Sequence, residues 1–91
     1  MNDSIGTGSV EFSHFVASLG SAVMLHLGKM PDPTGAPVNI NLDLARHSID
    51  TLAMLKAKTH GNLTAEESQL LERLLHDTRM MWLEESRKNA S

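Results

Sequence analysis

Cysteine is absent from the 91 residues. Neither a disulfide nor a thiolate metal centre can therefore staple this short chain, and the absence fits a cytosolic protein. Aromatics are scarce too: two Phe, one Trp and no Tyr. Strands favour β-branched and aromatic side chains, whereas the apolar residues here are mostly Leu and Met, which lose little rotamer freedom in a helix. Basic residues are outnumbered, eight Lys and Arg against eleven Asp and Glu, for a formal net charge of −3. With no Lys/Arg-rich patch, the basic footprint of sequence-independent nucleic-acid binding is missing, and no nucleic-acid partner is expected. The first eleven residues hold Asp3 and Glu11 but no Lys or Arg. No secretory signal peptide is therefore expected, and the cytoplasm is the expected location.

Charge of either sign is also missing from residues 12–28, FSHFVASLGSAVMLHLG. This stretch is too apolar to stand bare in water. It is also shorter than the roughly 20 apolar residues of a membrane span. Ser13, His14, Ser18, Gly20, Ser21 and His26 interrupt it, and the Lys or Arg of an interfacial helix is lacking. No membrane partner is expected, so a second copy, another protein or a ligand must cover the stretch.

The spacing predicts an all-α fold with three helices, at about 10–27, 42–59 and 65–86. Residues 1–8 read as a disordered tail, 9–86 as a single helical domain and 87–91 as a frayed tail. Ser9 is the expected first N-cap, with Glu11 in the first turn. Phe12, Phe15, Val16, Leu19, Val23 and Leu27 form a broad apolar stripe. Ser13, Ala17, Gly20, Ser21 and Met24 line another face, where a second helix backbone could approach closely. Gly20 in mid-helix costs about 1 kcal/mol against Ala, which a packing role would offset. Gly28 is the expected C-cap, ahead of Pro31. Residues 29–41 form a crossover in which Asp32, Pro33, Thr34 and Gly35 have the order of a β-turn.

Asn41 is the expected cap of the second helix. Leu44, Ala45, Ser48, Ile49, Leu52 and Leu55 make its expected buried face. Gly61 and Asn62 then turn the chain. Thr64 and Glu67, three apart, form a capping box that starts the third helix. So short a link predicts an antiparallel helical hairpin. Centring its fold-back between Gly61 and Asn62 sets Arg46 level with Asp77 and Asp50 level with Arg73, both opposite in sign. At least one of these pairs is expected to bridge the two helices. The buried face of the third helix is Leu70, Leu71, Leu74, Leu75, Thr78, Met81 and Trp82.

Candidate chemistry is thin. Of five histidines, His14 follows Glu11 in one Glu-x-x-His half-motif, whereas a di-metal bundle needs two such motifs and two further carboxylates. Glu72 and His76 would suit a surface ion at best. There is no Gly-x-Ser-x-Gly elbow and no Gly-rich phosphate loop. No catalytic residue, metal ligand or cofactor is expected.

Leu44-Ala45, Ile49-Asp50, Leu52, Met54-Leu55 and Lys58-Thr59 lead into Gly61-Asn62-Leu63-Thr64, then Glu66-Glu67, Leu70-Leu71, Leu74-Leu75 and Arg79-Met80. With Phe12, Phe15, Leu19, His26-Leu27-Gly28 and the Pro31–Gly35 turn, this pattern resembles the bacterial "domain of unknown function 1844" family over residues 10–83. His60 departs from it, where a Lys is expected. The resemblance implies a small, bacterial, cytosolic helical protein, and it carries over no catalytic residue. A first helix that is apolar around much of its circumference should be buried on more than one side. The hairpin covers one side, and a second copy is the simplest cover for the other. The expected function is a non-catalytic, self-associating module, dimeric by preference, that binds a protein partner. Its expected interface is Phe12, Phe15, Val16, Leu19, Val23, Met24 and Leu27. The alternatives are a small-molecule or acyl-chain binder using the apolar face of the first helix, and a subunit-bridged di-metal enzyme.

Overall fold

Three helices, α1 (Phe12–His26), α2 (Leu42–Lys58) and α3 (Ala65–Ala90), carry the chain in the computed structural model, which describes residues 11–90. Helix α1 starts later than the apolar pattern suggests. Its N-cap is Glu11, extended at φ −77° and ψ 128° and with no side-chain cap bond. The expected Ser9 cap and the tail at 1–8 lie outside the described residues. The far end of α1 closes as a Schellman motif. Gly28 N–H donates to Leu25 O at 3.1 Å, and Lys29 N–H donates to Met24 O at 2.8 Å. Gly28 sits at φ +74°, a left-handed conformation that side-chain-bearing residues adopt only with strain.

Residues 27–41 then leave and return to the same point. Asp32 O accepts from Gly35 N–H at 3.0 Å, closing the β-turn. Asn41 N–H donates to His26 O at 2.7 Å, tying the loop's end to the end of α1. Asn41 also caps α2, its Oδ1 accepting from Leu44 N–H at 3.0 Å. After α2, the chain turns through Gly61 at φ +82°, with Asn62 N–H donating to Thr59 O at 2.9 Å. Thr64 and Glu67 then exchange bonds. Thr64 N–H donates to Glu67 Oε1 at 2.9 Å, and Glu67 N–H donates to Thr64 Oγ1 at 3.1 Å. This reciprocal pair satisfies two N–H groups that a helix start otherwise leaves unpaired.

Helix α3 runs four residues past the end expected at 86, so residues 87–90 are helical. The basic Arg87 and Lys88 of its last turn suit the negative end of the helix dipole. Six residues separate α2 from α3, and the Trp82 indole Nε1 donates to Leu42 O at 2.8 Å. The beginning of α2 therefore lies against the later part of α3, as an antiparallel hairpin requires.

Helix α1 packs on both α2 and α3. The core holds Val16, Val23 and Leu27 of α1 and its end, Ala45, Ile49 and Leu52 of α2, and Leu71 and Leu75 of α3. Burying each large aliphatic side chain contributes about 1.5–3 kcal/mol. Leu63, without a staple partner in its own helix, packs against this cluster. Gly20 is buried, and a Cβ there would lie 3.1 Å from Leu74 Cδ2. Its missing side chain is what lets Leu74 of α3 approach α1. Thr78 is buried with its hydroxyl donating to Leu74 O at 2.6 Å.

Candidate functional site

The packing divides the α1 stripe. Val16, Val23 and Leu27 are buried inside the chain's own core, which reassigns them from an intermolecular face to the monomer interior. The reason is geometric: one face of α1 lies over the α2–α3 hairpin, and these residues point into it. Phe12 and Leu19 pack at the core's edge, Met24 is half-buried, and Phe15 stays 42% exposed.

The outward side of α1 is unusual for water. His14, Phe15, Ala17, Ser18 and Ser21 are exposed, and no residue of the helix carries a carboxylate, ammonium or guanidinium. Phe15, Ser18, Ala22 and Leu25 follow one another at steps of three, four and three. That is the spacing of a helix–helix seam. Ala22 and Leu25 are half-buried.

A second surface lies along α2 and α3. One open cleft is lined by Arg46, Ile49, Asp50, Arg79, Trp82 and Leu83. A neighbouring cleft shares Arg79 and is completed by Ala53, Lys56, Ala57, His60 and Leu75. The Arg46 guanidinium lies 5.6 Å from the Trp82 ring centroid, and its Nε is 4.0 Å from Asp50 Oδ2. A cation over an indole is worth about 0.5–1 kcal/mol at an exposed site.

The expected cross-hairpin bridges are replaced. Neither Arg46–Asp77 nor Asp50–Arg73 occurs among the ion pairs of the described residues. Arg46 is drawn to Trp82 and to Asp50 of its own helix, and Asp77 Oδ1 lies 3.2 Å from His76 Nδ1. Exposed pairs of this kind contribute too little to dictate where the side chains settle.

Two long-range features carried no signal in the sequence. Glu85 is buried on α3, its side chain 8% exposed, with its Oε1 3.6 Å from Lys29 Nζ of the crossover. Trp82 anchors to the backbone at Leu42. Together with the Asn41–His26 bond they join the end of α1, the crossover, the start of α2 and the last third of α3. The crossover also holds Asp32, whose carboxylate accepts from the Thr34 hydroxyl at 2.6 Å and the Thr34 N–H at 2.8 Å. These bonds, the hydroxyl's first, hold its pKa below the ordinary 3.8.

Among the described residues no three His, Cys, Asp or Glu side chains gather as a metal would need. No described helix is long and apolar enough to cross a membrane. Exposed apolar side chains are spread over every element: Phe15 on α1, Val38 and Ile40 in the crossover, Leu44 and Met54 on α2, and Met80 and Leu83 on α3.

Fold and surface thus define a small all-α protein whose distinctive features are a helix face without Asp, Glu, Lys or Arg and a basic-rimmed helical seam. The chain belongs to the family described as domain of unknown function (DUF1844), whose model matches residues 9–84. No curated protein and no solved structure matches the chain.

Proposed function

We propose that the protein is a non-catalytic helical module of the bacterial cytoplasm that self-associates, as a dimer, and binds a protein partner. The observation that carries this reading is the exposed face of α1, which holds no Asp, Glu, Lys or Arg. In a closed two-fold dimer the same patch meets itself, so residues near the axis face their own copies. An Asp, Glu, Lys or Arg there would meet a like charge, and a face without them avoids that repulsion. Phe15 supplies an apolar anchor, and Ser18 and Ala22 are small enough for the two backbones to approach. The acyl-chain alternative is weakened because Val16, Val23 and Leu27 are packed into the chain's own core.

The absence of cysteine makes the test simple. Ser18→Cys and Ala22→Cys place single thiols on the proposed seam. A direct disulfide needs Cα atoms roughly 4.4–6.8 Å apart, and a short bis-maleimide covers larger separations. Efficient crosslinking to a dimer is expected at these positions, and not at the exposed Gln69→Cys on α3. Equal crosslinking at all three, or none on α1 at micromolar concentration, would overturn the α1 interface.

A further inference from the structure

The seam between α2 and α3 is built for a different occupant from the α1 face. Its two clefts hold three of the protein's eight Lys and Arg, namely Arg46, Lys56 and Arg79, and one of its eleven Asp and Glu, Asp50. The single acid already lies beside Arg46. Arg79 and Lys56 have no ion-pair partner among the described residues. A protein of net charge −3 thus concentrates positive charge along two adjoining clefts that meet at Arg79.

The floor beneath that charge is apolar. Ile49 and Leu75 are buried in the core, Trp82 is half-buried, and Leu83 is 44% exposed at the edge. Arg46 and Lys56 are ten helical steps apart, about 15 Å at 1.5 Å per residue. That length matches three turns of a docked helix. A small ligand is typically buried over most of its surface by a concave pocket, and a long open groove does not provide that. An amphipathic helix, by contrast, lays its apolar stripe on such a floor and its flanking charges against the rim.

We infer that the α2–α3 seam, centred on Arg79 and Trp82, docks an acidic amphipathic helix of a partner protein. The inference rests on the partner-binding half of the proposed function and gives that partner a chemistry. It leaves the α1 face free for the second copy, so the two surfaces can be tested apart.

Trp82 is the chain's one tryptophan, so its emission reports on the groove directly. The probe is a synthetic four-turn peptide with Leu on one helical face and Glu on the rest. Its controls are a version with Lys in place of Glu and a version with the same residues shuffled. The Glu peptide is expected to change Trp82 emission saturably, with weaker binding at higher salt, while the controls do not. Arg79→Glu and Lys56→Glu, both at exposed positions, are each expected to weaken binding at least about tenfold while circular dichroism shows the helices intact. Phe15→Asp is expected to leave peptide affinity unchanged, and Arg79→Glu to keep the wild-type sedimentation mass.

Equal responses to all three peptides would overturn the inference. So would unchanged affinity in both folded charge-reversal variants. The same saturable response to inorganic phosphate would assign the groove to a small anion, and a response only to phosphatidylglycerol vesicles would assign it to a membrane; either result overturns the helix reading. Failure of the peptide test with a dimer still present would remove the partner chemistry and leave self-association standing.

Discussion

Gly20 is where a single methyl group tests how α1 meets α3. Replacing glycine by alanine inside a helix gains about 0.8–1 kcal/mol from backbone propensity alone. Here the added Cβ would lie 3.1 Å from Leu74 Cδ2, inside the roughly 3.5–4.0 Å at which carbon atoms attract most. Leu74 must yield by a few tenths of an ångström, and overpacking of this kind costs about 1–3 kcal/mol. The two effects oppose each other, so Gly20→Ala should fall between neutral and about 2 kcal/mol destabilising. In a Leu74→Ala background the new methyl has room, and the same change should stabilise by about 1 kcal/mol. Urea unfolding of all four proteins, at one fixed concentration, gives the coupling as a double-mutant cycle. Stabilisation by the full propensity gain in both backgrounds would show that Leu74 does not press on Gly20, and the packing of α1 on α3 would be wrong.

Removing Lys29 should expose the dependence of the crossover on Glu85. Lys29→Met leaves a buried carboxylate without its cation. Because the Lys29 side chain is 31% exposed, the cost is expected to be about 1–2 kcal/mol, less than for a fully buried pair. Adding Glu85→Leu should recover part of that loss in the same unfolding assay, and a further loss would contradict the pairing. Asp32 offers a pH readout. Its folded pKa is depressed, so its contribution is fully present above the unfolded value of 3.8 and is lost as pH falls through the lower folded value. Carbon-detected NMR titration should give a midpoint below 3.8, and Thr34→Val should raise it. A midpoint that the substitution leaves unmoved would mean that the Thr34 hydroxyl is not its cause.

The parts of this fold that can be read from sequence are those closed within a turn or two of chain. The Thr64–Glu67 exchange needs only the right side chains three residues apart, and the Asn41 cap and the Asp32–Gly35 turn are equally local. Helical period likewise marks which side of α1 is apolar. It does not say what covers that side, and three of seven expected interface residues, Val16, Val23 and Leu27, belong to the core. Long-range partners are less legible. Glu85 looks like one more solvated acid among the charges of α3, yet it is buried beside Lys29, more than fifty positions away. Arg46 and Asp77 match in charge, but a guanidinium can also settle over an indole or bond within its own helix. Charge matching contains no information on which of these wins. Helix length is missed at the end of α3 for a related reason, since polar residues there gave no apolar period to follow.

In the proposed dimer the face of α1 that carries no Asp, Glu, Lys or Arg meets a second copy of the chain. Sedimentation equilibrium over the micromolar range tests it most directly, comparing the wild type with Phe15→Asp. The wild type is expected to have twice the chain mass of 10.0 kDa, and Phe15→Asp, with helicity unchanged, to have the mass of one chain. A wild type that stays monomeric throughout that range, or a variant that associates as strongly as the wild type, would rule out that dimer.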